Sequence, residues 1–91
     1  MPGSLQFEFD ERKSLSNSGK HGIDFVRAQE LWQDEDLLEM QARVTGEPRY
    51  VVVGRIGGRH WTAVITYRGD AIRIISVRRS RALEVQAYEG T

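Results

Sequence analysis

A chain of 91 residues is one domain, with room for a single modest core and not for two, so a large internal pocket is not expected and a site should lie on an open face of the sheet. The absence of cysteine removes disulfides, thiolate metal sites and a cysteine nucleophile, and it fits a reducing cytoplasm. The formal net charge is zero but uneven: residues 1–47 carry five basic against ten acidic side chains, and residues 48–91 carry eight arginines against Asp70, Glu84 and Glu89. Such asymmetry points to a polyanion partner, or to halves that neutralise each other across the fold. No apolar run approaches the roughly 20 residues of a membrane span, and no signal-peptide pattern opens the sequence. A soluble cytoplasmic protein is expected.

In chain order, residues 1–4 show no pattern and are set aside as a frayed end or a remnant, leaving one domain over 1–91. Leu5, Phe7 and Phe9 alternate with polar neighbours as in a short strand. Asp10 suits a helix N-cap, and that helix should end at Lys20 and His21 with Gly22 as left-handed C-cap. Serines and Asn17 make it a weak helix that tertiary contacts must hold. Asp24 caps a second helix, whose Phe25, Ala28, Leu31 and Trp32 share one face. The run Asp34, Glu35, Asp36 reads as a solvated loop rather than a metal site, because consecutive carboxylates do not converge without a turn.

Leu38, Met40, Ala42 and Val44 alternate as a strand that stops at Thr45 to Pro48. Strands over 49–56, 59–68 and 71–78 follow, joined by Gly57-Gly58 and Gly69-Asp70, the residue types of tight primed turns. Ser80 should cap a last helix that turns Leu83, Ala87 and Tyr88 toward the body. The expected fold is α+β: an antiparallel meander of four to five strands, two N-terminal helices and one C-terminal helix.

Two-residue turns fix the register, which sets Arg55 opposite His60, Thr66 opposite Arg73, Val64 opposite Ile75 and His60 opposite Arg79. On that register Arg55, His60, Thr62, Thr66, Arg68, Arg73 and Arg79 share a basic face, floored by Val53, Val64 and Ile75. The helices cover the other, apolar side. Arg78 points to the core side near Trp61, where a stacked or salt-bridged structural role weighs at least as much as a catalytic one. A basic face of this kind suits RNA phosphates and ribose hydroxyls, and equally an ordinary solvated sheet.

The order Phe7-Glu8-Phe9-Asp10, Lys13, Asn17, Lys20-His21-Gly22, Gly54-Arg55, Arg73 to Arg79, Glu84 and Tyr88 resembles the BrnT family of bacterial toxins. Phe9 and Val77 stand where the family pattern has tryptophan and alanine. The resemblance implies a fold similar to the RelE ribonuclease toxins and a role as the toxin of a type II toxin-antitoxin system. It also implies an endoribonuclease that inhibits translation and a BrnA-like antitoxin as partner in a hetero-oligomer. DNA would be reached only through that antitoxin. The implied cleavage needs no metal or other cofactor: the ribose 2′-hydroxyl attacks the neighbouring phosphate, assisted by a proton acceptor and charge clamps.

Lys20, His21, Arg55, Arg73 and Arg79 are the catalytic candidates, with His21 as proton acceptor because arginine is a poor shuttle. His21 also fits a helix-end cation that only complements the dipole. His60, Thr66, Arg68, Arg78 and Tyr88 are candidate RNA contacts. Two other classes keep the arginines without the chemistry: a non-catalytic nucleic-acid binder acting through a partner, and a protein-interaction module.

Overall fold

The computed structural model describes residues 5–42 and 46–90, so the expected strand positions Val44 and Thr45 lie outside the described residues. Strand β1 (Gln6–Glu8) leads into helix α1 (Glu11–His21). Asp10 accepts from the amides of Arg12 and Lys13, and Gly22 closes the helix at φ 77°, its N–H bonded to the Ser18 carbonyl. Helix α2 (Phe25–Ala28), capped by Asp24, lasts one turn and tightens into a 3₁₀ segment over Gln29–Gln33. Strands β2 (Leu38–Gln41), β3 (Tyr50–Ile56), β4 (Arg59–Arg68) and β5 (Ala71–Arg79) precede helix α3 (Ala82–Glu89).

The strand order is β1-β5-β4-β3-β2, and β1 runs parallel to β5 with Phe7 opposite Ile72. This corrects the expected antiparallel meander: the sheet is mixed, because the short strand before the helices, expected over Leu5 to Phe9, joins it parallel to β5. The reason is the connection between the partners. The helices, β2, β3 and β4 all intervene between β1 and β5, a crossover long enough to bring β1 back parallel, as a two-residue turn cannot.

One face of the sheet carries α1, α2 and the 3₁₀ segment. Phe25, Ala28, Leu31, Val52, Ala63, Ile65, Ile74 and Val77 are buried there, and Phe7 meets Trp32 edge-on at 5.0 Å. Gly54 permits the close approach of this layer, since a Cβ there would lie 2.9 Å from Leu37 Cδ1 and 3.0 Å from Leu31 Cδ2. Helix α1 buries polar groups rather than an apolar stripe. Ser14 Oγ accepts from the Phe25 amide at 2.9 Å, and Asn17 donates from Nδ2 to the carbonyls of Ile23 (2.8 Å) and Val77 (2.9 Å) while Oδ1 accepts from Val77 N (3.2 Å). These bonds supply the tertiary support that a serine-rich helix needs.

Helix α3 lies on the opposite face, which is therefore not open. Its N-cap is Arg81 rather than Ser80, whose hydroxyl bonds Thr62 instead; Leu83, expected to face the body, is 78% exposed. Tyr88 does face inward, 7% exposed.

Candidate active site

The register across Gly57-Gly58 pairs Arg55 with His60 and Val53 with Thr62, and across Gly69-Asp70 it pairs Arg68 with Ala71 and Thr66 with Arg73. Between Val64 and Ile65 it slips. Val64 faces Ser76 while Ile65 faces Ile74, so Ile75 is the extra residue of a β-bulge, and beyond it Thr62 faces Arg78 and Trp61 faces Arg79. The expected pairs Val64 with Ile75 and His60 with Arg79 are overturned. Because side chains alternate, one extra residue exchanges the faces of everything after it. Arg78 joins Thr62 under α3, and Arg79 leaves Arg55 and Arg73 for the helix side, its guanidinium 5.5 Å from the Trp61 ring centroid.

The face on which RNA contact is expected is neutralised from within. Arg78 donates both terminal nitrogens to Glu84 at 2.8 and 2.7 Å, and Glu84 also accepts from Thr62 Oγ1 and the Arg81 amide. The Arg78 hydrogen bonds outweigh the opposing effect of burial and pull the Glu84 carboxyl down to about 2. Arg73 pairs with Glu8 at 3.3 Å, and Arg68 lies 3.9 Å from both Glu8 and Glu47. His60 Nε2 is 2.6 Å from Glu89, and its ring meets Tyr88 edge-on. Thr66 is buried and donates to the Pro48 carbonyl at 2.7 Å.

Arg55 lies in a recess of about 470 Å³ together with Glu30, Asp34, Glu35, Asp36 and Tyr88. Four carboxylates around one guanidinium do not suit a phosphate. Asp34 is the structural hub of this recess and not a freely solvated loop residue. Its Oδ2 accepts from the Arg55 amide at 2.8 Å and from the Tyr88 hydroxyl at 2.6 Å, and its Oδ1 from the Asp36 amide at 2.9 Å. Burial works to raise the Asp34 carboxyl, but these hydrogen bonds and the Arg55 charge hold it below its ordinary value. Burial, then the Asp34 bond, pushes the Tyr88 phenol up to about 12, which keeps it a neutral donor. Through Asp34, the Tyr88 hydroxyl of α3 and the Arg55 amide of β3 are held together.

The remaining cations gather elsewhere. Helix α1 follows β5 in the same sense: Glu8, just before it, sits opposite Arg73, Asn17 is bonded to Val77, and Gly22 shares a recess with Trp61, the residue opposite Arg79. Lys13, Ser16, Lys20 and His21 line a groove of about 210 Å³ whose other wall is the bulge, Ile75 and Ser76. Among the described residues, Lys13, Lys20, His21 and Arg79 form no ion pair or side-chain hydrogen bond, so their full charge or donor capacity faces outward. The structure therefore brings Lys20 and His21 together in one groove and sets Arg79 on Trp61, which shares a recess with Gly22, the residue after His21; Arg55 and Arg73 line neither. Lys13 is an addition that sequence reasoning missed as a site residue, although its spacing of seven from Lys20 places both on one helix face.

No helix of the described residues is long and apolar enough to cross a membrane. No curated protein matches the chain. Residues 9–84 match the family model described as the ribonuclease toxin, BrnT, of type II toxin-antitoxin systems. The match covers most of the chain, which therefore belongs to this family of ribonuclease toxins, and a type II system implies an antitoxin as its partner.

Proposed function

We propose that the chain is an endoribonuclease that cuts RNA without a metal, at the surface where Lys20 and His21 end α1 beside Arg79, and that inhibition of translation follows from the cutting. The carrying observation is the partition of charge: the sheet-face cations Arg68, Arg73, Arg78 and His60 have carboxylate partners, whereas Lys13, Lys20, His21 and Arg79 have none among the described residues. Unneutralised cations on one surface are what a polyanion requires.

In this reading the neutral His21 imidazole takes the proton of the ribose 2′-hydroxyl as that oxygen attacks the adjacent phosphorus. The bond from phosphorus to the 5′ oxygen breaks, leaving a 2′,3′-cyclic phosphate and a 5′-hydroxyl, and the departing oxygen gains a proton from the Lys20 ammonium or from water. Arg79 offers a planar fork of donors to the charge that builds on the phosphorane oxygens. A cognate BrnA-like antitoxin would silence the chain in the cytoplasm by covering this basic surface with acidic or aromatic groups, and DNA would be met only through that partner.

The position of Lys20 and His21 also supports a second reading. Both sit in the last turn of α1, where a cation complements the helix dipole whatever else it does, so the surface could bind RNA without cutting it. Incubating the purified toxin with RNA in EDTA separates the two. Cleavage to cyclic-phosphate ends is expected, lost in His21→Ala; intact RNA in the wild type would overturn the enzymatic reading.

A further inference from the structure

Beyond His21 the surface continues into a second recess that the proposed chemistry does not use. It has a volume of about 240 Å³ and lies between the Gly22-Ile23 turn and the β3–β4 hairpin, lined by Arg27, Gly57, Arg59 and Trp61. We infer that this recess is a phosphate subsite for single-stranded RNA, holding the backbone one or two nucleotides from the scissile bond, with Arg59 as its principal contact. The inference rests on the ribonuclease reading above and extends it from the place of cutting to the track of the substrate.

Two guanidinium groups line the recess, those of Arg27 and Arg59. Arg59 is exposed and has no ion-pair partner among the described residues. Arg27 gives its Nε to Glu30 at 2.9 Å but keeps Nη2 over the hairpin, 3.9 Å from where a Cβ on Gly57 would stand. A third guanidinium, that of Arg79, lies 5.5 Å from the ring centroid of Trp61, which is itself a lining residue. Gly57 and Gly58, at φ 58° and 82°, make a turn with no side chains, so nothing stands between the recess and a passing strand.

Chemistry selects the ligand. The indole of Trp61 is only 8% exposed, which leaves it no face on which a base could stack, and the polar groups on offer are donors rather than a base-reading mixture. A recess of this size accommodates a phosphodiester and part of a ribose, not a drug-sized ligand. The carbonyl end of α1 adds partial negative charge nearby, which Lys20 in its last turn complements. Because Gly22, the residue after His21, and Trp61, which carries Arg79, both line this recess, one strand can run from it toward either group.

The test is equilibrium binding of non-cleavable 2′-O-methyl RNA, short and long, as a function of salt. The proteins are the wild type, Arg59→Ala, Arg59→Lys, and Arg12→Ala, which removes an exposed cation at the far end of α1. A single-stranded phosphate contact contributes a slope of about 0.7 in log affinity against log salt. Arg59→Ala should therefore lower the slope for the long RNA by about 0.7, steepen nothing for the shortest RNA, and be restored by Arg59→Lys with Arg12→Ala unchanged. If the wild type binds RNA and Arg59→Ala leaves its slope intact, the subsite is refuted while the ribonuclease reading stands. If the wild type binds no RNA, both fall. Equal losses in Arg59→Ala and Arg12→Ala would mean a diffuse charge effect and overturn the subsite.

Discussion

Asn17→Ala removes one small side chain and should do more damage than most core truncations, because the amide serves three backbone groups. Its Nδ2 satisfies the carbonyls of Ile23 and Val77 and its Oδ1 the amide of Val77, all in a site where Asn17 itself is 7% exposed. Net hydrogen-bond values near 1 kcal/mol each give a loss of about 3 kcal/mol, and water reaches the orphaned groups poorly. For a domain of this size that is a fall in melting temperature of roughly 12–24 °C. Asn17→Asp should be nearly as harmful, since it keeps the acceptor for Val77 N but sets a carboxylate oxygen against two carbonyls. Urea unfolding followed by circular dichroism measures the change. A loss below about 1 kcal/mol in Asn17→Ala, at unchanged denaturant slope, would show that these bonds do not hold α1 to β5. The same contact sets the spacing between His21 and Arg79, so RNA cleavage measured well below the variant's melting temperature should drop by about 10- to 100-fold.

Two further outcomes are expected. Glu84 has a folded-state carboxyl near 2 against an ordinary 4.5, so the stability it contributes is full above 4.5 and is lost as pH falls from there toward 2. At 1.36 kcal/mol per unit this amounts to no more than about 3 kcal/mol. The urea midpoint of the wild type should fall across that window more steeply than that of Glu84→Gln; parallel curves would contradict the assignment. Arg79→Ala should reduce RNA cleavage about 100-fold, in the range of a lost charge clamp, while Arg73→Ala, already paired with Glu8, should change it less than about threefold. The reverse ranking, in variants with wild-type melting temperatures, would return the site to the sheet face.

Local rules were enough for the parts of the fold built from neighbours in sequence. Asp10, Gly22 and Asp24 cap as their chemistry requires, and the glycine turns at 57–58 and 69–70 fix the first pairs of each hairpin. What escaped was non-local. The bulge at Ile75 has no marker such as glycine, and a single unpaired residue exchanged Arg78 with Arg79 between faces. Nothing in three residues of β1 says that it pairs with β5 across three helical segments and three strands. Asp34 looked like one of three solvated acids because its partners, the Arg55 amide and the Tyr88 hydroxyl, lie 21 and 54 residues away. Glu84 and Arg78, six apart, are separated by the turn between β5 and α3, which no helical or strand period describes.

The same facts explain why a chain with zero formal charge can attract a polyanion. The acidic first half and arginine-rich second half do neutralise each other in places, as Glu8 does with Arg73, but the cancellation is not uniform. Helix α3 brings Glu84 and Glu89 onto the sheet face, where they meet Arg78 and His60, and the segment after α2 brings Asp34 to the edge beside Arg55. Glu84 and Glu89 each neutralise a cation on the surface that the residue count suggested, while Asp34 binds the Arg55 amide and sets a carboxylate near its guanidinium. None of them lines the groove between α1 and the β5 bulge, so Lys13, Lys20 and His21 keep their positive or donor character there. A partner that silences the toxin must then bring its own carboxylates or cover that groove, because α3 already occupies the other face.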